Sequence, residues 1–88
     1  MKETEPGTAA IAAAARADAV GLFCPLPMVK LKLELEKVKF NEVVELLADD
    51  PGVQQDLPVW CRETGNRLLS IKKNDADIFV AYVEKRRK

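Results

Sequence analysis

The chain has 88 residues with fourteen Lys plus Arg against fourteen Asp plus Glu, no histidine and two cysteines, and its formal net charge is zero. Without histidine there is no Ser-His-Asp or Cys-His nucleophile pair and no imidazole switch, and two thiols alone fill no structural zinc tetrahedron. Zero net charge gives no general attraction to nucleic acid or to an anionic membrane, and one Trp, one Tyr and three Phe are few side chains for bases to stack on.

Apolar residues make up 48% of the chain, enough for one small core built on Leu, Val, Ile and Ala. Its stability margin is thin, because a chain this short buries only about 60% of its unfolded surface. No apolar run approaches the roughly 20 residues that span a bilayer. Lys2 is followed by Glu3 and Glu5, a poor signal-peptide start, so a cytoplasmic protein is expected, with both cysteines as free thiols. The basic end, Lys85 to Lys88, reads as a solvated tail.

In chain order, residues 1–12 combine charge, Pro6 and Gly7 with small side chains and read as a flexible extension, leaving 13–88 as a single domain. From Ala12 to Ala19 the pattern serves helix and strand about equally: alanine favours helix, yet Arg16 and Asp18 alternate with Ala15, Ala17 and Ala19. Between Met28 and Lys39 apolar and charged residues nearly alternate, but Leu, Lys, Glu and Met favour helix. Met28, Leu31, Leu35 and Val38 fall on one helical stripe, with Val29 and Leu33 off it. Lys30 with Glu34 and Lys32 with Glu36 are then spaced for i,i+4 ion pairs.

Glu42 to Ala48 fits a buried strand ended by Asp49-Asp50-Pro51-Gly52. Val53, Leu57, Trp60, Cys61 and Thr64 form a helix face. Pro58 implies that this helix is either kinked there or begins near Asp56, with Asp56 as N-cap; Gly65 is its stop. Arg67–Lys73 and Ile78–Glu84 read as an antiparallel hairpin around Asn74 to Asp77. The order is β-α-β-α-β-β, about the minimum for one sheet carrying two helices on one face.

Cys24 stands where the first strand meets the first helix and is followed by Pro25. A residue before proline is pushed from the helical region into the extended state that an N-cap requires. Pro25 and Pro27 then fall in the first turn, where a missing N–H costs no helical bond. A thiol at the positive end of a helix dipole is favoured as thiolate. The alternative for Cys24 is a small apolar packing residue, the usual fate of a free cysteine, and Cys61, on an apolar helix face, fits that role better. A thiolate with no imidazole, metal or C-x-x-C partner suits exchange at sulfur, where nucleophile and leaving group are both thiolates.

The run Asp18-Ala19-Val20-Gly21-Leu22-Phe23-Cys24-Pro25-Leu26-Pro27 resembles the D-x-x-G-L-x-C-P-x-P signature of the TusA/SirA-like sulfur-carrier family. Ala48-Asp49-Asp50-Pro51-Gly52, with Asp56-Leu57-Pro58, Trp60-Cys61 and Thr64-Gly65, is similar to its second block. The resemblance, from about Ala14 to Arg86, implies an α/β (α+β) two-layer sandwich with a four-stranded mixed sheet, Ala14–Gly21 as strand and Pro25–Val38 as helix. It implies a sulfurtransferase-type carrier whose Cys24 takes sulfane sulfur as a persulfide from a desulfurase- or rhodanese-type donor and passes it to an acceptor protein's cysteine. Pro25 and Pro27 would shape the helix start and Gly21 the approach to it. Asp49, Asp50 and Asp56 match acidic positions that could serve partner recognition, with turn and cap chemistry as their alternative. No metal, no cofactor beyond the covalent persulfide, no nucleic acid and no membrane is implied. The competing function is a non-catalytic interaction or regulatory module with a structural cysteine. The chain departs from the family at Asn66, often His there, and at Phe40-Asn41, often Pro-Gly.

Overall fold

A computed structural model describes residues 13–23 and 26–86. The expected 1–12 extension lies outside the described residues. The elements are β1 (Ala15–Ala19), α1 (Leu26–Leu35), β2 (Val43–Ala48), α2 (Gly52–Thr64), β3 (Arg67–Lys73) and β4 (Phe79–Glu84). The strands form one mixed sheet in the order β1-β2-β4-β3, with β1 parallel to β2 and the other pairings antiparallel. The expected two-layer sandwich is therefore the fold found.

Strand periodicity decides which side chains meet the helices. Ala17 and Ala19 of β1, Val44, Leu46 and Ala48 of β2, and Ala81 and Val83 of β4 point to one side and share a core with Met28, Leu31, Leu35, Val53, Leu57 and Cys61. The alternation of Arg16 and Asp18 with alanines thus belongs to a half-buried strand, whose small inward side chains leave room for α1. On the other face Glu45 ties three strands together: Arg16 Nε donates to its Oε1 at 2.8 Å and the Tyr82 hydroxyl to its Oε2 at 3.0 Å. In β3 a bulge between Leu68 and Ser70 puts Leu68 and Ile71, three residues apart, on the same inner side.

The stripe Met28, Leu31, Leu35 and Val38 is buried as expected. The helix itself ends at Leu35, three residues earlier than the expected Val38. Its last turn tightens, with the Lys37 N–H donating to the Glu34 carbonyl (3.0 Å) and the Val38 N–H to that of Leu35 (3.4 Å). Neither expected i,i+4 ion pair forms among the described residues. Glu34 instead pairs with Lys37, one turn on, at 3.2 Å. Asn41 takes φ 70°, a left-handed conformation that asparagine tolerates and that turns the chain just before β2.

α2 starts at Gly52 and runs through Pro58, so the start near Asp56 is corrected. The reason is Asp50, whose Oδ1 accepts the Gly52 N–H at 3.1 Å and so satisfies a donor of the first turn four residues before Asp56. Gly65 ends the helix as expected, at φ 82°. Its N–H donates to the Arg62 carbonyl and the Asn66 N–H to the Cys61 carbonyl, the paired bonds of a Schellman cap. Gly65→Ala is expected to cost about 1–2 kcal/mol of stability through the forced left-handed backbone, read from the shift of a denaturant midpoint.

Candidate functional site

The sheet register places the site. β1 and β2 are parallel and Ala19 lies opposite Ala48, so the chain leaves both strands at the same edge. Residues following Ala19 and residues following Ala48 therefore run side by side. In α/β sheets such C-terminal strand edges are where functional loops collect.

The segment after β1 is held by short bonds. Asp18 Oδ1 accepts the Val20 N–H at 3.2 Å, a turn that Asp makes with the backbone two residues on. The Leu22 N–H donates to the Ala19 carbonyl at 3.1 Å, and the Leu26 N–H to the Phe23 carbonyl at 2.8 Å. Between them Gly21 takes φ 88°, and a side chain added there would meet nothing within 4 Å. Glycine is needed for its backbone conformation and not for space. The D-x-x-G part of the motif is thus a turn, closed by Asp18 and reversed at Gly21.

Cys24 and Pro25 lie outside the described residues. Pro27 is the second residue of α1 and its ring is buried, a place where the missing N–H breaks no helical bond. Around this helix start several apolar side chains are exposed beside Lys30 and Lys32: Phe23 is 74% exposed and Leu26, Val29 and Leu33 about half exposed. The three helical ones recur at i, i+3 and i+7, so α1 carries a second apolar stripe opposite the buried one.

The three acidic residues separate. Asp50 caps α2. Asp56 sits exposed within α2, one and a half turns further on, with no hydrogen-bond or ion-pair partner among the described residues. Asp49 reaches across to the β1 loop, where its Oδ1 accepts the Gly21 N–H at 2.9 Å. Sequence reading missed that bond, because nothing in one chain announces the register of two parallel strands.

Cys61 is 2% exposed in the core, and burial pushes its thiol up to about 12. It stays protonated and inert as a nucleophile at neutral pH. Among the described residues no group of Cys, Asp or Glu could hold a metal ion, and no helix is long and apolar enough to cross a membrane. A groove of about 460 Å³ opens between the C-terminal half of α1 and α2, lined by residues including Lys32, Leu35, Trp60 and Asn66.

The profile of the family described as sulfurtransferase TusA matches residues 15–85. The sulfur carrier protein TusA of Allochromatium vinosum is 38% identical over 56 residues, covering 64% of this chain and 74% of that protein. A relative from Aquifex aeolicus, described as a candidate sulfur carrier protein, is 35% identical over 77% of this chain. The chain spans only 34% of that relative's length. Among solved structures, a SirA-like protein from Desulfitobacterium hafniense superposes with a TM-score of 0.71 at 22% identity, covering 83% of this chain and 99% of the other, a likeness of fold.

Proposed function

We propose, because the chain belongs to the sulfurtransferase TusA family, that it is a sulfur carrier loaded at Cys24. The Cys24 thiolate attacks the outer sulfur of a donor protein's persulfide. A new S–S bond forms to Cys24 while the donor's own S–S bond breaks, and its electron pair leaves on the donor thiolate. The acceptor protein's thiolate then attacks the outer sulfur on Cys24 and releases Cys24 as thiolate. Neither step changes the net oxidation state, and each is exchange at sulfur that needs no imidazole or metal.

The observation that carries this reading is the family match over residues 15–85, which takes in the Cys24-Pro25-Leu26-Pro27 run of the sequence. The start of a ten-residue helix favours a thiolate over a thiol. Phe23, Leu26, Val29 and Leu33 would give donor and acceptor proteins an apolar surface on α1 and the residue before the motif. The other thiol, Cys61, is buried, which leaves Cys24 to act as a one-cysteine carrier. A desulfurase with cysteine, or a rhodanese with thiosulfate, would supply the sulfur.

The test is turnover of the loaded form. After incubation with such a donor and removal of small molecules, cyanide is expected to release about one thiocyanate per chain from the wild type and none from Cys24→Ser. Equal release from both would place the sulfur elsewhere and defeat the reading. Alkylation of Cys24 only in the denatured chain would favour an interaction module with a structural cysteine.

A further inference from the structure

We infer that the groove between α1 and α2 is a binding site for a small aromatic carboxylate, a flat apolar body carrying one negative charge. Its volume of about 460 Å³ falls within the roughly 300–1,000 Å³ of small-ligand sites. Leu35 of α1 is buried there and Trp60 of α2 is half-buried against the core. The floor is therefore apolar and includes an indole ring against which a flat body can pack. No part of this site depends on Cys24, and binding there is separate from sulfur transfer.

The polar groups of the groove divide into two sets, of which the first is engaged within the protein. The Thr64 hydroxyl donates to the Trp60 carbonyl at 2.8 Å, and its oxygen accepts from Asn66 Nδ2 at 3.1 Å. Asn66 Oδ1 accepts the Arg86 N–H at 3.2 Å, and Lys85 Nζ donates to the Val38 carbonyl at 2.9 Å. These bonds join the C-terminal end of α2 to the segment after β4, and that segment to the turn after α1, as a fixed wall. The second set is free. Among the described residues the Trp60 indole N–H has no acceptor, and Lys32 and Glu36 form no ion pair although they stand four residues apart. A half-buried indole N–H ordinarily finds a partner. With Lys85, Lys32 sets two cations against the carboxylate of Glu36 at this groove, in a chain whose net charge is zero. An anionic head group matches that balance and the free donors, whereas a cationic one meets an excess of its own sign.

The experiment is a ligand titration of the full chain followed by nitrogen–proton NMR. Trp60 is the only tryptophan, so one indole cross-peak reports on the groove. Naphthoate is expected to move that peak saturably, with half-saturation at about 0.1–1 mM for a ligand of this size. Naphthylmethanol and naphthylmethylamine carry the same ring without the negative charge and are expected to bind at least about twofold more weakly. K32A is expected to weaken naphthoate binding about two- to fivefold, the loss of one exposed charge pair. K30A removes the same charge from the opposite side of α1 and should bind as the wild type does. Lys30 and Lys32 are both exposed, so both variants should fold, which their backbone cross-peaks check. No saturable movement at about tenfold higher naphthoate overturns the inference. So does naphthylmethylamine binding as tightly as naphthoate, K32A binding as tightly as the wild type, or K30A weakening binding as much as K32A.

Discussion

Leu31→Ala is expected to cost about 2–5 kcal/mol. Leu31 is fully buried at the centre of α1, among side chains from β1, β2 and α2, and a methyl in its place leaves a cavity the close-packed sandwich cannot fill by relaxing. For 88 residues the whole stability is about 4–13 kcal/mol, so the variant should be partly unfolded or melt far below the wild type. Leu33→Ala, two residues on, is the contrast. Leu33 is 49% exposed, its truncation should cost under about 0.5 kcal/mol, and its effect should fall on transfer from a donor protein. Urea unfolding of both variants checks the pair. Equal losses would mean that the two faces of α1 are not the distinct surfaces described.

The second large effect is alkaline. Cys61 has its thiol raised from an ordinary 9.0 to about 12 by burial, so the folded protein holds that proton more tightly than the unfolded chain. The stabilisation is complete below the unfolded value and disappears as pH rises from about 9 towards 12. The full window is worth about 4 kcal/mol at 1.36 kcal/mol per unit. Between pH values of about 8 and 10.5 the wild type should lose about 2 kcal/mol from this group alone. Cys61→Ala, less stable at neutral pH because of its cavity, should lack that slope. Tyr82, also raised by burial and by its hydrogen bond to Glu45, is present in both proteins and cancels in the comparison. Parallel stability curves for the two proteins would show that Cys61 is not desolvated as described.

These residues also show what was legible from sequence. The buried stripe of α1 could be read because helical spacing repeats within a dozen residues. Of the exposed stripe Leu26, Val29 and Leu33, only Val29 and Leu33 stood out, as residues off the main line, since a helix apolar on two sides gives no clear amphipathic signal. For α2, Pro58 drew attention to Asp56, whereas the start is set by Asp50 and its bond to Gly52. Local capping chemistry outweighed the proline. The alanines of β1 favoured helix as strongly as strand until a parallel neighbour, β2, took up their backbone bonds. The turn at Asp18 to Gly21 was legible in its residue types and in its place after β1. Its tie to Asp49 was not, because that contact follows from strand register, a tertiary property.

The most direct measurement of the central claim is the intact mass of the protein after incubation with a desulfurase and cysteine, for the wild type, Cys24→Ser and Cys61→Ala. One added sulfur atom, removable by reductant, is expected on the wild type and on Cys61→Ala, and none on Cys24→Ser. Sulfur gained by Cys24→Ser, or lost on replacing Cys61, would contradict that claim.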